Sequence, residues 1–222
     1  MTLSELGTKE LSVIEKVRRL TPRRPLTLNE AYRLSELQAT KLREYTDNDT
    51  EPRARFDAIL KLDNITVKTV PNYRLMDHIA GMSRFKDGHW LILVDENTVH
   101  GRRRFTLAHE LKHVIDHQLA PLIYSGFAYG DEERRKTHIE NICQHFAACY
   151  LVPKTLLKRA WGSGIQNIDA LSGLFQVSLT AMEVRLKQVG LIEQGPKRDI
   201  TTYFRRELLL LPGEATSVIC GV

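Results

Sequence analysis

Residues 105–117, FTLAHELKHVIDH, place histidines at 109, 113 and 117, a strict four-residue spacing. Leu107, Ala108, Leu111, Val114, Ile115 and Leu119 recur at helical spacing around them, so an amphipathic helix from Arg104 to about Leu119 is expected. On that helix His109 and His113 project from one face, one turn apart, and two imidazoles so placed can converge on one ion. His117 lies ~12 Å from His109 along the axis, at a rise of 1.5 Å per residue. Two nitrogens bound to one zinc lie within about 4 Å of each other. His117 therefore cannot share an ion with His109, and a polar or outer role beside the site is expected for it.

Glu110 stands about 100° around the helix from His109, beside the metal face and not on it. That position suits a base that serves a metal site without occupying a coordination place. His109-Glu110-Leu111-Lys112-His113 is thus the HExxH pattern of zinc hydrolases. Catalytic zinc takes three protein ligands and leaves one position open. The metzincin continuation needs glycine at 116 and histidine at 119, where this chain has Asp116 and Leu119. The third ligand must then come from a second helix.

The segment DEERRKTHIENICQH, 131–145, offers candidates on a helix expected over about 132–151. Glu132 and Glu133 open it, where the helix dipole favours acids in any case. Glu140 stands amid Ile139, Ile142, Cys143, Phe146 and Ala147. A carboxylate bordering an apolar stripe is costly unless it is paired or holds a metal, so Glu140 is favoured over Glu133, His138 and His145. Cys143 lies one turn on and reads as a small buried hydrophobe.

The rest of the chain frames this pair of helices. Residues 8–20 read as helix, two prolines break TPRRP, and Thr27-Leu28-Asn29-Glu30 is a capping box opening a helix to about Tyr45. DNDTEP (47–52) reads as a polar linker and RARFDAILKL as a short helix. ITVKTV, HIAGMSRF and HWLILVDE read as strands, the last two joined at Lys86-Asp87-Gly88, a hairpin signal. The expected fold is α+β, mostly helical, with a small and mainly antiparallel sheet preceding the histidine helix. Short helices, among them a helix-turn-helix-like pair, fill 154–193, and ITTYF in the tail reads as a strand. The expected divisions are 1–52, a helical extension; 53–193, the metal-bearing domain; and 194–222, a tail of unassigned role.

Composition narrows the setting. The chain of 222 residues is 42% hydrophobic and 27% charged, ordinary for a soluble globular protein. No apolar run approaches the roughly 20 residues that span a bilayer. The N-terminal segment has no export signature, and three cysteines (143, 149, 220) form no disulfide framework. A cytoplasmic location is expected. The net charge of +5 comes with short basic clusters not interleaved with aromatics, which reads as a solvated basic face before it reads as a nucleic-acid groove.

RRRFTLAHELKHVIDH followed by ENICQHFAACYLVP closely resembles the ImmA/IrrE family of zinc metallo-endopeptidases, and LSGLFQVSLTAMEVRLKQVGLI is similar to a downstream segment of that family. The likeness covers about 53–193. It implies one Zn2+ per chain held by His109, His113 and Glu140, with Glu110 as catalytic base, in a protease of narrow specificity. It also implies a protein substrate, an XRE-type helix-turn-helix repressor whose cleavage relieves repression. Two positions depart from the family pattern: Lys112 replaces a glycine, which bears on close packing there, and Cys143 replaces an alanine. The strand around Trp90–Asp95 is a candidate edge for an extended substrate, and Tyr124, Tyr129 and Tyr150 are candidates to steady an oxyanion. Two readings compete with the protease: a DNA-binding regulator built on 171–192, and a metal-binding protein that acts only by contact.

Overall fold

A computed structural model describes residues 12–62, 64–71 and 80–193. The expectations for residues 8–11 and for the tail, ITTYF included, fall outside the described residues. Helix α1 (Val13–Arg18) and helix α2 (Leu28–Glu44) both open on capping boxes, Ser12 with Glu15 and Thr27 with Glu30. After the polar linker, α3 (Asp57–Leu62) leads into strand β1 (Ile65–Val70). Strands β2 (Gly81–Lys86) and β3 (His89–Asp95) form a hairpin closed by Asp87 and Gly88, whose φ values of 51° and 80° match the positive-φ turn that follows strand twist.

The sheet order is β1-β3-β2. β3 pairs antiparallel with β2 but parallel with β1, in a register running from Ile65–Trp90 to Val70–Asp95. The sheet is therefore mixed where a mainly antiparallel one was expected. The hairpin signal is local and visible in sequence, whereas the β1–β3 pairing joins distant segments and leaves no local mark. β3 is accordingly the central strand, with Ile92 and Val94 fully buried, and so is not an edge. Among the described residues β2 pairs only with β3 and offers its other side as the edge.

Helix α4 (His100–Asp116) carries the histidines, and the short α5 (Ala120–Ile123) follows it. Helix α6 (Glu132–Leu151) opens on an Asp131 cap whose carboxylate accepts from Arg134 N at 2.9 Å. Ala108, Leu111, Val114 and Ile115 from α4 meet Phe146, Ala147 and Tyr150 from α6 in one core. Val13, Val17, Ala39 and Leu42 from α1 and α2 join the same core, together with Ile92 and Val94 of the sheet. Helices α7 (Lys154–Gly162), α8 (Ile168–Phe175) and α9 (Leu179–Gln188) complete it. Gln176 ends α8 in the left-handed region at φ 54°, and Ser178 caps α9, so α8 and α9 form a tight helix-turn-helix corner.

Several cations, among them Arg18 of the first basic cluster, are structural. Arg18 donates to the carbonyls of Ile115 and Val114, both at 2.9 Å, satisfying the C-terminal end of α4. Arg43 is buried and donates to Tyr150 O at 2.9 Å, and Arg185 to Val152 O at 3.0 Å, doing the same for α6. Each places positive charge where the helix dipole is negative. Part of the basic balance is thus consumed in holding α4 and α6 in place.

Candidate metal centre

The packing of α4 on α6 sets the site. His109 and His113 present their Nε2 atoms 3.2 Å apart. Glu140, from the facing turn of α6, brings Oε2 to 3.1 Å from His109 Nε2 and Oε1 to 3.5 Å from His113 Nε2. Two donors on a tetrahedral zinc, at bonds of 2.0–2.1 Å, stand about 3.3 Å apart. The triangle of these three side chains has that size.

A second grouping overlaps it. One donor atom each from His109, His113 and Cys143 lies within 4.8 Å of the others, which makes a possible metal-binding group. Cys143 Sγ approaches His113 at Nδ1, at 3.8 Å, on the other side of the ring from the nitrogen that meets His109 and Glu140. The two groupings share both histidines and differ in the third member.

Burial divides the site into a floor and a mouth. His109 is 9% exposed and Cys143 is 1% exposed, whereas the side chains of His113 and Glu140 keep 30% and 39% of their surface. Solvent therefore reaches the triangle past His113 and Glu140. Burial penalises the Glu140 carboxylate, but the charge of His113 and the hydrogen bond from His109 outweigh it and bring its pKa down to about 2. Burial likewise opposes charge on His109, yet Glu140 raises its pKa above the ordinary histidine value. Burial, then the Glu140 and Asp116 carboxylates, push the Cys143 thiol well up.

Glu110 is 7% exposed and lies against the sheet. A Cβ at Gly81 would stand 3.5 Å from its Cγ, so the base candidate adjoins the first residue of edge strand β2. That same Cβ would collide with Thr106 Cγ2 at 2.3 Å. Gly81 is there because α4 comes this close, a constraint its strand gives no sign of in sequence.

The other candidates are engaged elsewhere. Glu133 pairs with Lys136 at 3.2 Å on the surface. His138 rests edge-on near Phe127, and His145 packs edge-on to Tyr32 with ring centroids 5.0 Å apart. His117, excluded as a ligand by helix rise, is not beside the site: its ring packs against Trp90 at 4.9 Å and Phe85 at 5.6 Å, an aromatic seat on the sheet. Tyr124 donates to Asp116, and Tyr150 donates to Arg55 O at 2.6 Å, so both hydroxyls serve the core. Tyr129 is almost fully exposed.

Lys112, the residue between the two histidines that departs from the family glycine, is fully buried. Its Nζ donates to Gln38 Oε1 at 2.7 Å and to Asp116 Oδ1 at 2.8 Å, and lies 6.0 Å from the Phe146 ring centroid. The long side chain fits because α2 and the last turn of α4 supply it with partners. Nothing in the sequence pattern around 112 signals a buried ammonium.

Among the described residues no helix is long and apolar enough to cross a membrane. A search of curated proteins finds no match. The solved structure of a Mycobacterium tuberculosis transcriptional regulator is similar in fold, with a TM-score of 0.56 and 21% identity. That match covers 80% of this chain and 52% of the regulator, so the chain spans about half the length of that protein. The family model described as the IrrE N-terminal-like domain, of peptidase M78, matches residues 69–187, which take in β2, β3, α4, α6 and the α8–α9 corner. With that match running over more than half its length, the chain belongs to the IrrE N-terminal-like family of metallopeptidases.

Proposed function

We propose that the chain is a zinc-dependent endopeptidase in which His109, His113 and Glu140 hold the metal and Glu110 is the base. The observation that carries this is the convergence of three side chains: the histidine Nε2 atoms stand 3.2 Å apart, and Glu140 reaches His109 through Oε2 at 3.1 Å and His113 through Oε1 at 3.5 Å, near the roughly 3.3 Å between donors on a tetrahedral zinc. Cys143 fits better as a partner to the back of the His113 ring, because it meets Nδ1 while Nε2 faces Glu140. Zinc in such a site supplies Lewis acidity, polarising a peptide carbonyl and making a water acidic near neutral pH. Glu110 accepts the proton of the attacking water on its carboxylate and delivers it to the leaving amine. The exposed side of the triangle, past His113 and Glu140, admits the scissile bond.

The substrate strand follows from the sheet order. An extended segment adds to a free edge through backbone hydrogen bonds, and β2 is the edge that adjoins Glu110. Extended substrate therefore runs beside β2, and not beside β3. The substrate class, an XRE-type repressor, rests on the motif resemblance, as does a place in transcriptional control.

The competing DNA-binding reading needs α9 to present base-reading side chains. Met182, Arg185 and Leu186 of α9 are buried, and Glu183 pairs with Lys187. The middle of the helix is thus spent on the core and on an internal ion pair, and its exposed first residue, Leu179, is apolar.

The test pairs metal content with cleavage. Wild type and Glu110→Gln are both expected to bind one zinc per chain, and only the wild type is expected to cut a repressor of the XRE type, with cleavage lost to a chelator. Equal cleavage by the variant sinks the base assignment. Intact repressor with wild type, together with salt-sensitive duplex binding, favours the regulator reading.

A further inference from the structure

A hollow of about 670 Å³ lies between the N-terminal turn of α4 and the α8–α9 corner, at the opposite end of α4 from its last turn. Its volume falls within the range of roughly 300–1,000 Å³ typical of small-molecule sites. Phe105, Val177 and Ala181 give it an apolar wall. α4 opens into it at Val99 without any side-chain cap, so the positive end of a 17-residue helix faces the hollow. Arg53, His100 and Arg102 stand around the same opening, and among the described residues no acidic side chain lines it.

Among the described residues, two polar atoms lining it have no partner. Ser172, only 6% exposed, has no hydrogen-bond partner for its hydroxyl, and Gln176 has none for its Oε1. Both residues line the hollow. A buried hydroxyl left without a partner costs about 1–3 kcal/mol, and a mid-helix serine ordinarily turns back to a carbonyl of its own helix. In α8 it does not. Gln176 is also the one residue of the corner held at positive φ, at 54°.

We propose that this hollow binds a small organic acid with an apolar body. The carboxylate sits at the α4 N-terminus beside Arg53, the body lies on Phe105 and Val177, and Ser172 donates to a polar atom of the ligand. The bound molecule touches α4 and the α8–α9 corner together, because the two already meet there: a Cβ at Gly101 would stand 3.5 Å from Ser178 N.

The test uses zinc-loaded full-length protein and three probes: octanoate, 4-phenylbutyrate and indole-3-acetate, each beside its neutral amide, titrated by calorimetry. At least one acid is expected to saturate the protein, with its amide about tenfold weaker, the usual loss of a charge-assisted contact. Arg53→Gln is expected to remove a similar factor from the acid and nothing from the amide. Gly173→Leu adds bulk at the lining of the hollow on α8, where a Cβ meets nothing within 4 Å, and is expected to weaken binding while the thermal midpoint holds. Absence of saturable binding by all three acids at millimolar concentration overturns the proposal. So does binding unchanged by both Arg53→Gln and Gly173→Leu, and so does equal affinity for acid and amide. Binding of peptides ending in an apolar residue, with none of the free acids, overturns it in favour of a protein tail.

Discussion

Lys112 Nζ lies 2.8 Å from Asp116 Oδ1 and 2.7 Å from Oδ2, one turn apart on α4, with no more than 3% of either side chain exposed. The pair sits in the helix that presents both histidines, and Gln38 and Tyr124 complete its hydrogen bonds. Removing one partner of a buried ion pair leaves an uncompensated charge and costs about 3–5 kcal/mol. Asp116→Asn is therefore expected to lower stability by that order, as urea unfolding would measure. Lys112→Met combined with Asp116→Asn is expected to cost less than the sum of the single changes, since neither charge is then stranded.

Glu140 and Cys143 make opposing claims to the third place at the metal. Glu140→Gln is expected to weaken zinc binding more than about hundredfold, beyond the 10–100-fold typical of losing a ligand's outer partner. Cys143→Ala is expected to cost no more than the 10–100-fold of an outer partner. Competition against a chromogenic chelator separates the two, and the reverse order of effects would assign the metal to the cysteine.

Gly81 answers to Thr106 across the sheet–helix contact. Gly81→Ala is expected to cost about 1–3 kcal/mol, as overpacking does, because its Cβ would fall 2.3 Å from Thr106 Cγ2. Thr106→Ser removes that methyl and is expected to restore part of the loss. The restoration stays partial because Leu93 O, a backbone atom, remains at 3.2 Å. Thermal midpoints of the two single variants and the double variant check this.

His145 titrates against folding. Burial, then the charge of Arg185, bring its pKa down from 6.5 to about 4. The unfolded chain therefore binds a proton between pH 6.5 and 4 that the folded chain refuses, and stability falls as pH drops through that window. The loss is about 3 kcal/mol by pH 4. His145→Phe keeps a ring against Tyr32 and is expected to flatten that part of the stability profile. An unchanged slope in urea midpoints across the window would remove His145 from the account.

What the sequence disclosed was what local spacing encodes. The i, i+4 histidines, the 132–151 helix, the Thr27–Glu30 capping box and the Asp87-Gly88 turn all stand in the structure where their signals place them. Each depends on residues no more than a few positions apart. The parallel β1–β3 pairing depends on residues 25 positions apart, Ile65 and Trp90, so the central strand was read as an edge. His117 looked polar because its aromatic seat is made by Phe85 and Trp90, which adjoin it only in the fold. The basic residues misled for a related reason. Nothing in the string at Arg18 or Arg43 says that the guanidinium will end on a helix carbonyl.

The strand order also sets a sequence of assembly. The β2–β3 hairpin closes through two residues and can form on its own in about 1–10 μs. β1 has no such shortcut, because its partner β3 is reached only after the hairpin has turned back. Long-range pairing must wait until loop closure is offset by contacts already made. The strand that adjoins Glu110 is thus among the earliest pieces to take shape, and the sheet closes on its far side last. Substitutions in β1 should accordingly speed unfolding more than they slow folding, whereas those at the hairpin should slow the first encounter itself.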